Sequence, residues 1–441
     1  MRSGAETVGR PGPVRVVFVD LDGPLPDLAA ARPEGDRYVA ALVFATRQGV
    51  PVGHVELALD GATVPADTLA RALAALGDPR PEPVVAPDPA PFVSVVVPTL
   101  MRRAEQLERG VAALSAMRYP AFEVIVVDNR PDGHPDGLSE RLAGYPGVSL
   151  VAERRPGISA ARNRGLHHAR GEIVAFTDDD ALVDPGWLAA IGRRFAAEPR
   201  TDAVTGLVLP AELETPAQVW FERSGGKLNQ RYAVVHYRLA ARAGWSARRF
   251  AVTAEPAGDG LIPIYRAKFG MGVNMAFRTA RLRAASGFDE ALGTGTASRG
   301  GEDIAALTRL LYAGGGVTFD PAVVVRHYHR RTEQECRIQM YGYGVGYTAA
   351  LTALVRSDPR HLVGLVHLAV RALGVIRRRS DDRGHTGYPS HRRRAERRGL
   401  LAGPLAYLRS RRNRPLPARA RPAAPTDDAP GGRMDRQVAS A

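Results

Sequence analysis

The sequence predicts an α/β protein with a mostly parallel sheet, preceded by a small β-rich unit. Between residues 92 and 176, continuous apolar runs alternate with amphipathic stretches, the pattern of buried strands joined by crossover helices. A proline-rich stretch at 79–91 separates this region from three earlier strand-like runs. The 441 residues are enough for about three domains at roughly 150 residues each.

The first unit, residues 1–90, is predicted to be an accessory domain that ends in a stiff linker. VRVVFVD, RYVAALVFAT and VGHVELALD have the composition of strands, and DTLARALAAL follows as a short helix. The run FVDLDGPL is similar to the nucleophile motif of haloacid-dehalogenase phosphatases. That family also needs a lysine, and the first lysine here is Lys227, so a turn after a strand is expected instead.

Polar side chains follow three predicted strands of the next region. SVVVPT ends in Pro98 and Thr99, VIVVDN contains Asp128, and VAFTDDD ends in residues 178–180. Because the carboxyl ends of parallel strands meet at one edge of a sheet, we expect these side chains to lie close together. Carboxylates there can bond a ribose hydroxyl or hold a divalent cation that also binds a diphosphate. An Asp-x-Asp triplet alone also occurs in turns and helix caps.

Six motifs occur in the order and spacing of one known family: SVVVPT, VIVVDN, GISAARNRG, VAFTDDDALVDPGWL, GMGVNMAFRTARLRAASGFDEALG and GGED. Over residues 92–345 the chain therefore resembles the inverting glycosyltransferases of family 2, which adopt the GT-A fold. The resemblance implies transfer of a sugar from a nucleotide-diphosphate donor to an acceptor hydroxyl with inversion. It also implies a divalent cation, Mg²⁺ or Mn²⁺.

The resemblance assigns nucleotide-binding roles to several residues. Pro98 and Thr99 would line the nucleotide pocket, and Asp128 would contact the base or ribose. Arg162 and Asn163 match the helix start that lies near the nucleotide in the family. A solvated helix face is the alternative for Arg162.

The predicted metal ligands are two acids and one histidine. Asp178 and Asp180 match the family's Asp-x-Asp signature, with Asp180 as the direct ligand and Asp178 also near the nucleotide. His327 matches a position where some relatives place a metal-contacting histidine, and a structural histidine at a strand end is the alternative.

Glu302 and Asp303 are the predicted catalytic residues. The resemblance makes Asp303 the general base, with Glu302 as a second candidate. A sugar hydroxyl is a poor nucleophile, so a carboxylate within hydrogen-bond reach assists as its proton leaves. An acidic pair in the first turn of a helix is the alternative explanation.

The resemblance and the composition together predict three further regions after residue 90. Residues 91–215 would form the nucleotide-sugar-binding half, and residues 216–350 the acceptor-binding half with the catalytic base. Residues 351–441 would form an apolar helix and an arginine-rich, partly disordered extension.

The formal charge of +14 is concentrated in that extension, where residues 371–421 hold sixteen arginines against three acids. The apolar segment 361–376 followed by arginine clusters suits a helix lying on an anionic membrane surface. A helix packed on the body with a solvated tail is the alternative.

Several other classes are not expected. The single cysteine, Cys336, excludes an intramolecular disulfide. No apolar leader or uninterrupted stretch of about 18 apolar residues occurs, so a cytoplasmic protein is expected, with peripheral association at the inner face of the cell membrane left open.

The expected partners are a nucleotide-sugar donor, a glycan or lipid-linked acceptor in cell-envelope synthesis, and an anionic membrane surface. Nucleic acid is not an expected partner, although RNA binding by the arginine-rich tail is a further alternative. The alternative function is a catalytically inactive scaffold that binds nucleotide or membrane through its arginine-rich tail.

Overall fold

The computed structural model describes residues 12–32, 35–59, 63–133, 136–226, 231–240, 250–256, 260–378 and 390–412. The strands are β1 Val14–Asp20, β2 Ala40–Arg47, β3 Val50–Ala58, β4 Val93–Thr99, β5 Phe122–Asp128, β6 Val148–Ala152, β7 Ile173–Phe176, β8 Ala181–Val183, β9 Ala203–Pro210, β10 Val235–Leu239, β11 Ala251–Glu255, β12 Ile262–Pro263, β13 Met275–Arg278 and β14 Val317–His327. The helices are α1 Ala66–Leu73, α2 Ala104–Ser115, α3 Gly137–Ala143, α4 Ile158–His168, α5 Trp187–Ala197, α6 Pro216–Trp220, α7 Thr279–Ala284, α8 Glu302–Tyr312, α9 Glu333–Ser357, α10 His361–Arg378 and α11 Ser390–Arg412. The partly disordered extension predicted within residues 351–441 includes residues 413–441, which lie outside the described residues.

The predicted α/β class is confirmed by an eleven-stranded central sheet. Its strand order is β12-β11-β10-β14-β9-β13-β7-β4-β5-β6, with β8 paired to β14. The strands β7, β4, β5 and β6 are parallel, as their crossover helices require. Beyond β7 the sheet is mixed, because β13 pairs antiparallel to both of its neighbours and β10 to β12 are joined antiparallel. The parallel half is therefore the one that carries the predicted nucleotide residues.

Helices cover both faces of the central sheet. All seven residues of β4 and all eight of β9 are buried, as expected for strands covered on both sides. On one face Phe176, Phe277 and Phe288 pack edge to face, with ring centroids 5.2–6.2 Å apart. Such pairs add about 0.5–1.5 kcal/mol each beyond the area they bury. This packing fixes the ends of β7 and β13 beside the candidate site.

The N-terminal strands form a separate three-stranded sheet that packs on the central body. β1 pairs parallel with β2, and β2 pairs antiparallel with β3. Phe44 belongs to the same buried apolar cluster as Leu213. At the seam the Val14 N–H donates to the Leu213 carbonyl at 2.8 Å, and Glu214 accepts from Arg32 at 2.6 Å and from Tyr38 at 2.9 Å. The sheet is thus distinct, but its core is continuous with that of the body.

The acids of the FVDLDGPL run lie in the turn that the sequence predicts. Asp20 ends β1, and its Oδ1 accepts from the backbone N–H of Asp22 at 3.1 Å. This is a local turn contact of the kind aspartate commonly makes.

Two C-terminal helices, α9 and α11, pack closely because glycines line their contact. A Cβ placed at Gly344 would lie 2.2 Å from the Glu396 carbonyl, and one at Gly403 would lie 1.9 Å from the Thr348 hydroxyl. A third glycine of α9, Gly346, lies against the backbone of Gly300. None of the described helices is long and apolar enough to cross a bilayer.

Candidate active site

The parallel strands bring Thr99 and Asp128 side by side at one edge of the sheet. They are register partners across β4 and β5, and Pro98 is the buried residue just before them. Arg130 donates to Asp128 through its Nε at 2.9 Å, and Arg154 lies 3.5 Å from the same carboxylate. Although burial opposes ionisation, these arginines hold the pKa of Asp128 below its usual value. Asp128 is therefore an anionic acceptor at the predicted position.

The acids that follow β7 have three different environments. The Thr99 hydroxyl donates to Asp179 at 2.8 Å, and burial together with the neighbouring Asp180 raises the pKa of Asp179. Asp178 instead accepts from Arg162 at 3.0 Å. Asp180 is the most buried of the three, and it faces the end of β14.

Asp180 is contacted by a histidine and two arginines. His327 Nε2 lies 3.1 Å from its Oδ1, while Arg103 and Arg330 approach its Oδ2 at 2.7 and 3.3 Å. The pairing of β14 with β8 places His327 opposite Ala181, which explains this approach. Although burial opposes ionisation, His327 and the arginines hold the pKa of Asp180 well below its usual range. Burial likewise opposes the charged imidazole, but Asp180 raises the pKa of His327 above its ordinary value.

The Asp180 and His327 pair fits two adjacent ligands of a divalent cation. Two ligands about 2.1 Å from an octahedral ion lie about 3 Å apart, close to the 3.1 Å between these side chains. Carboxylate oxygen suits Mg²⁺ and Mn²⁺, whereas imidazole nitrogen is the more usual ligand of zinc, copper, iron and nickel. Among the described residues, no group of three or more His, Cys, Asp or Glu is arranged to hold an ion. Asp178, the third predicted ligand, is bonded to Arg162 instead. Phosphate and water oxygens would have to complete the shell, as is usual for Mg²⁺.

Arg162 links the acids after β7 to the acids that begin α8. The side chain is 1% exposed, and its guanidinium donates to Glu302 at 2.8 Å, to Asp178 at 3.0 Å and to the Gly272 carbonyl at 3.1 Å. Although burial favours the neutral form, the neighbouring carboxylates raise the pKa of Arg162 above its ordinary value. Arg162 was predicted to lie beside the nucleotide, and in the structure it is buried and bonded to Asp178 and Glu302.

Glu302 and Asp303 lie in the first turn of α8, as the alternative explanation expected. The Gly272 N–H donates to Asp303 Oδ2 at 2.9 Å, so the backbone of Gly272 connects Arg162 to Asp303. Asp303 is partly exposed, whereas Glu302 is buried and its Oε2 has no hydrogen-bond partner among the described residues. Burial and the charge of Asp303 raise the pKa of Glu302 to about 7. Asp303 is thus the accessible carboxylate of the pair.

Asn163 has a fixed structural partner. Its amide accepts from the Phe288 N–H at 2.8 Å and donates to the Phe288 carbonyl at 2.9 Å. These bonds hold α4 against the segment that leads towards α8. The side chain predicted to lie near the nucleotide is therefore engaged with the backbone of the protein.

Sequence reasoning did not single out the arginines of the site. Arg103 and Arg330 contact Asp180, and with Arg102 and Arg331 they line a cavity of about 600 Å³. A signal was present, because Arg103 follows the end of β4 by four residues and Arg330 follows His327 by three. Their meeting across the sheet edge depends on the tertiary fold, which a single sequence does not specify.

A second buried pair was also not predicted. His329 Nε2 lies 2.9 Å from Glu222 Oε2, and both residues are buried. Burial lowers the pKa of His329. The pair joins the segment after β14 to the turn after α6, close to the cavity that the arginines line.

Residues 94–252 match the model of the family described as glycosyl transferase family 2. The chain carries a family 2 glycosyltransferase domain. The matched residues include β4, β5 and the acids after β7, whereas Glu302, Asp303 and His327 lie beyond the match. The family 2 domain thus contains the predicted nucleotide edge of the sheet.

Curated relatives of the family 2 domain include two transferases. A glucosyl-dolichyl phosphate glucuronosyltransferase from Haloferax volcanii is 31% identical over 120 residues, which are 27% of this chain and 38% of that protein. A pre-mycofactocin glycosyltransferase from Mycobacterium tuberculosis is 27% identical over 247 residues, 54% of this chain and 43% of that protein. The chain therefore spans less than half the length of each of these relatives.

One similar solved structure is a mannosyltransferase from Pyrobaculum calidifontis in complex with GDP-Man and Mn²⁺. It is 22% identical, with a TM-score of 0.45, and the match covers 77% of this chain and 93% of that one.

Proposed function

We propose that the chain transfers a sugar from a nucleotide-diphosphate donor to an acceptor hydroxyl, with inversion at the anomeric carbon. The observation that carries the proposal is the bonded path from the acids after β7 to the acids of α8. Arg162 bridges Asp178 and Glu302, and the backbone N–H and C=O of Gly272 extend this path to Asp303. A donor held at the first acids would thereby have a carboxylate base at a fixed position.

Asp303 is the proposed general base. As the acceptor oxygen bonds to the anomeric carbon, its proton passes to Asp303, and the bond to the nucleotide diphosphate breaks on the opposite face. Attack opposite the leaving group gives inversion. The partial exposure of Asp303 supports this role, while buried Glu302 would orient Arg162 rather than touch the acceptor.

A divalent cation, Mg²⁺ or Mn²⁺, would be held by Asp180 and His327, with Asp178 behind them. Such an ion offsets the charge that develops on a departing diphosphate. Arg103 and Arg330 lie on the same carboxylate and would bind and orient diphosphate oxygens through their N–H groups. His327 must be neutral to act as a ligand, so the ion would compete with a proton for its imidazole nitrogen.

Pro98, Thr99 and Asp128 are the proposed nucleotide contacts, with Arg162 and Asn163 positioning the elements around them. Asp128 and Arg154 line a cavity of about 310 Å³ beside this edge of the sheet. The acceptor is proposed to be a glycan or a lipid-linked saccharide of the cell envelope. One relative is named for glucosyl-dolichyl phosphate, which supports a lipid-linked acceptor.

The donor can be identified by thermal shift with UDP, GDP, dTDP and CDP, each with Mn²⁺ and with chelator. We expect one nucleotide to raise the melting temperature, and more strongly with the metal. Asp180→Asn and His327→Ala should remove the metal-dependent part. If no nucleotide shifts the protein, a catalytically inactive scaffold would replace the transferase proposal.

Asp303→Asn tests the proposed base with that donor. Transfer should fall by roughly 10² or more, because the amide cannot take a proton, while the nucleotide shift is retained. Asp36→Asn is the matched control, since Asp36 is an 82% exposed acid of the N-terminal unit and its change should leave transfer unaffected. Full activity in Asp303→Asn would remove Asp303 from the role of base.

A further inference from the structure

Helix α11 has an exposed row of leucines on the side that faces away from the protein. Leu401, Leu405 and Leu408 are 84%, 53% and 44% exposed. Their spacing of four and three residues places them on one face of the helix. The opposite face is packed, because Gly399 and Gly403 lie against the backbone or side chains of α9 and Tyr407 is buried. Single exposed leucines are ordinary, but a row of three on one helix face indicates an interaction surface.

Exposed arginines lie at both ends of this row. They are Arg394, Arg397 and Arg398 on the N-terminal side and Arg409 and Arg412 on the C-terminal side. At about 100° per residue they fall on the same half of the helix as the leucines. The single acid of α11 is Glu396, which is only partly exposed. This face therefore combines an apolar centre with cationic ends.

We propose that this face of α11, the leucine row and its flanking arginines, binds the surface of an anionic lipid bilayer. The leucines would enter the boundary between headgroups and acyl chains, and the arginines would bond lipid phosphates while their stems cover apolar surface. The excess of arginine over acid in residues 371–421 adds long-range attraction to an anionic surface. An amphipathic helix of this composition lies in the plane of the membrane and does not cross it.

The sequence placed the membrane-facing helix at 361–376, which is α10, and α11 adds a second apolar face with flanking arginines. The first turn of α10 is packed, since His361 is buried and its ring nitrogen lies 2.8 Å from the Tyr265 hydroxyl. Gly364 is also packed against Phe250. These contacts commit one side of α10 to the body, while Leu362, Val363 and Val366 on its other side are 56%, 42% and 57% exposed, so α10 also has an apolar face at the surface.

Charge decides between a bilayer and other partners. A second copy meeting the same face would bring its own arginines against these, which is repulsive. A nucleic acid would engage the arginines through phosphates but would leave the leucines in water. An anionic bilayer satisfies both parts of the surface.

Helix α11 is also bonded to the segment that precedes the proposed catalytic acids. The Tyr407 hydroxyl of α11 donates to Asp289 at 2.9 Å, and Arg411 lies 3.4 Å from the same acid. The Ser298 and Ser410 hydroxyls are 3.4 Å apart. The helix is thus fastened to the segment that leads into Glu302.

The test is flotation of the full chain with vesicles of phosphatidylcholine alone and of phosphatidylcholine with about one third phosphatidylglycerol. We expect binding to the anionic vesicles only. Replacing Leu401, Leu405 and Leu408 together by serine should lower the partition coefficient by about a thousandfold, at roughly tenfold for each lost leucine. Replacing Arg394, Arg397 and Arg398 by glutamine should lower it by about fivefold per residue and weaken its salt dependence.

The matched control is Leu261→Ser, an exposed leucine outside α11, which should leave vesicle binding unchanged. The triple serine variant should keep its far-UV circular dichroism and melting temperature, because the replaced side chains lie at the surface. Equal binding to neutral vesicles would overturn the proposal. So would a triple serine variant that binds as the parent does, or one that differs from it only by converting a dimer into a monomer.

Discussion

The guanidinium of Arg162 is buried between carboxylates that are far apart in the sequence, and this predicts a large cost for its removal. In Arg162→Met, Asp178 and Glu302 would lose their charged partner in a buried site, which typically costs about 3–5 kcal/mol. Arg155→Met is the matched control, because Arg155 also bridges two acids, Glu153 and Glu290, but is 55% exposed. Its loss should cost about 1 kcal/mol or less.

Urea unfolding of the two variants measures this difference. An Arg162→Met variant no less stable than Arg155→Met would show that the buried network does not hold the site together.

The protonation of Glu302 predicts a pH dependence of stability. Burial and Asp303 raise its pKa from 4.5 to about 7, so the folded state keeps a proton that the unfolded chain releases. The resulting stabilisation is full below about pH 4.5 and is lost as the pH rises through about 7. Glu302→Gln cannot ionise, so its free energy of unfolding should rise relative to the parent as the pH increases from about 4.5 to about 7, by up to about 1.4 kcal/mol per pH unit.

The measurement is urea unfolding of both proteins at several pH values in this range. Parallel pH profiles would contradict the shifted pKa, since every other titrating group is common to the two chains.

At the scale of elements, the contact of α9 with the start of α8 predicts opposite effects for two glycines on one helix. A Cβ at Gly346 would lie 2.7 Å from the Gly300 carbonyl carbon, and one at Gly342 would be at an ordinary 3.7 Å from Arg299 Cβ. Gly346→Ala should therefore destabilise the protein by about 1–3 kcal/mol through overpacking. Gly342→Ala should be neutral or stabilise it by up to about 1 kcal/mol, because alanine is the better helix former.

Chemical denaturation of the pair checks this prediction, with each variant serving as the control for the other. Equal effects would mean that α9 can shift away from the Gly300 backbone without cost. Such freedom would also loosen Gly301, whose φ of +86° precedes the first turn of α8.

At the scale of the whole molecule, the shared core predicts that residues 1–90 stabilise the family 2 domain. Their removal would expose Leu213 and leave Glu214 without Arg32 and Tyr38. We expect the melting temperature of residues 91–441 to fall by roughly 5 °C or more, on the scale of 2–4 °C per kcal/mol. Calorimetry of both chains is the measurement. Two separate transitions in the full chain, with the upper one kept by the truncated chain, would contradict a common core.

The sequence alone predicted the main strands and the side chains that meet at one edge of the sheet. Continuous apolar runs predicted β4, β5 and β7, and the parallel rule brought Thr99, Asp128 and the acids after β7 to one edge. It was insufficient for contacts between distant segments. Arg103 and Arg330 meet at Asp180 only because β14 pairs with β8, and the burial of Arg162 depends on where α8 begins. Hydrophobic period reports which face of an element is buried, and it does not report what lies opposite that face.

The attachment of α11 to Asp289 and Ser298 has a consequence for the order in which the protein is made. Tyr407, Ser410 and Arg411 are translated more than a hundred residues after the segment they hold. A ribosome that has produced the whole family 2 domain has therefore not yet supplied these contacts. The hydrogen bonds that hold the segment before α8 can therefore form only after α11 has left the ribosomal exit tunnel. We expect this segment to reach its final position late in synthesis.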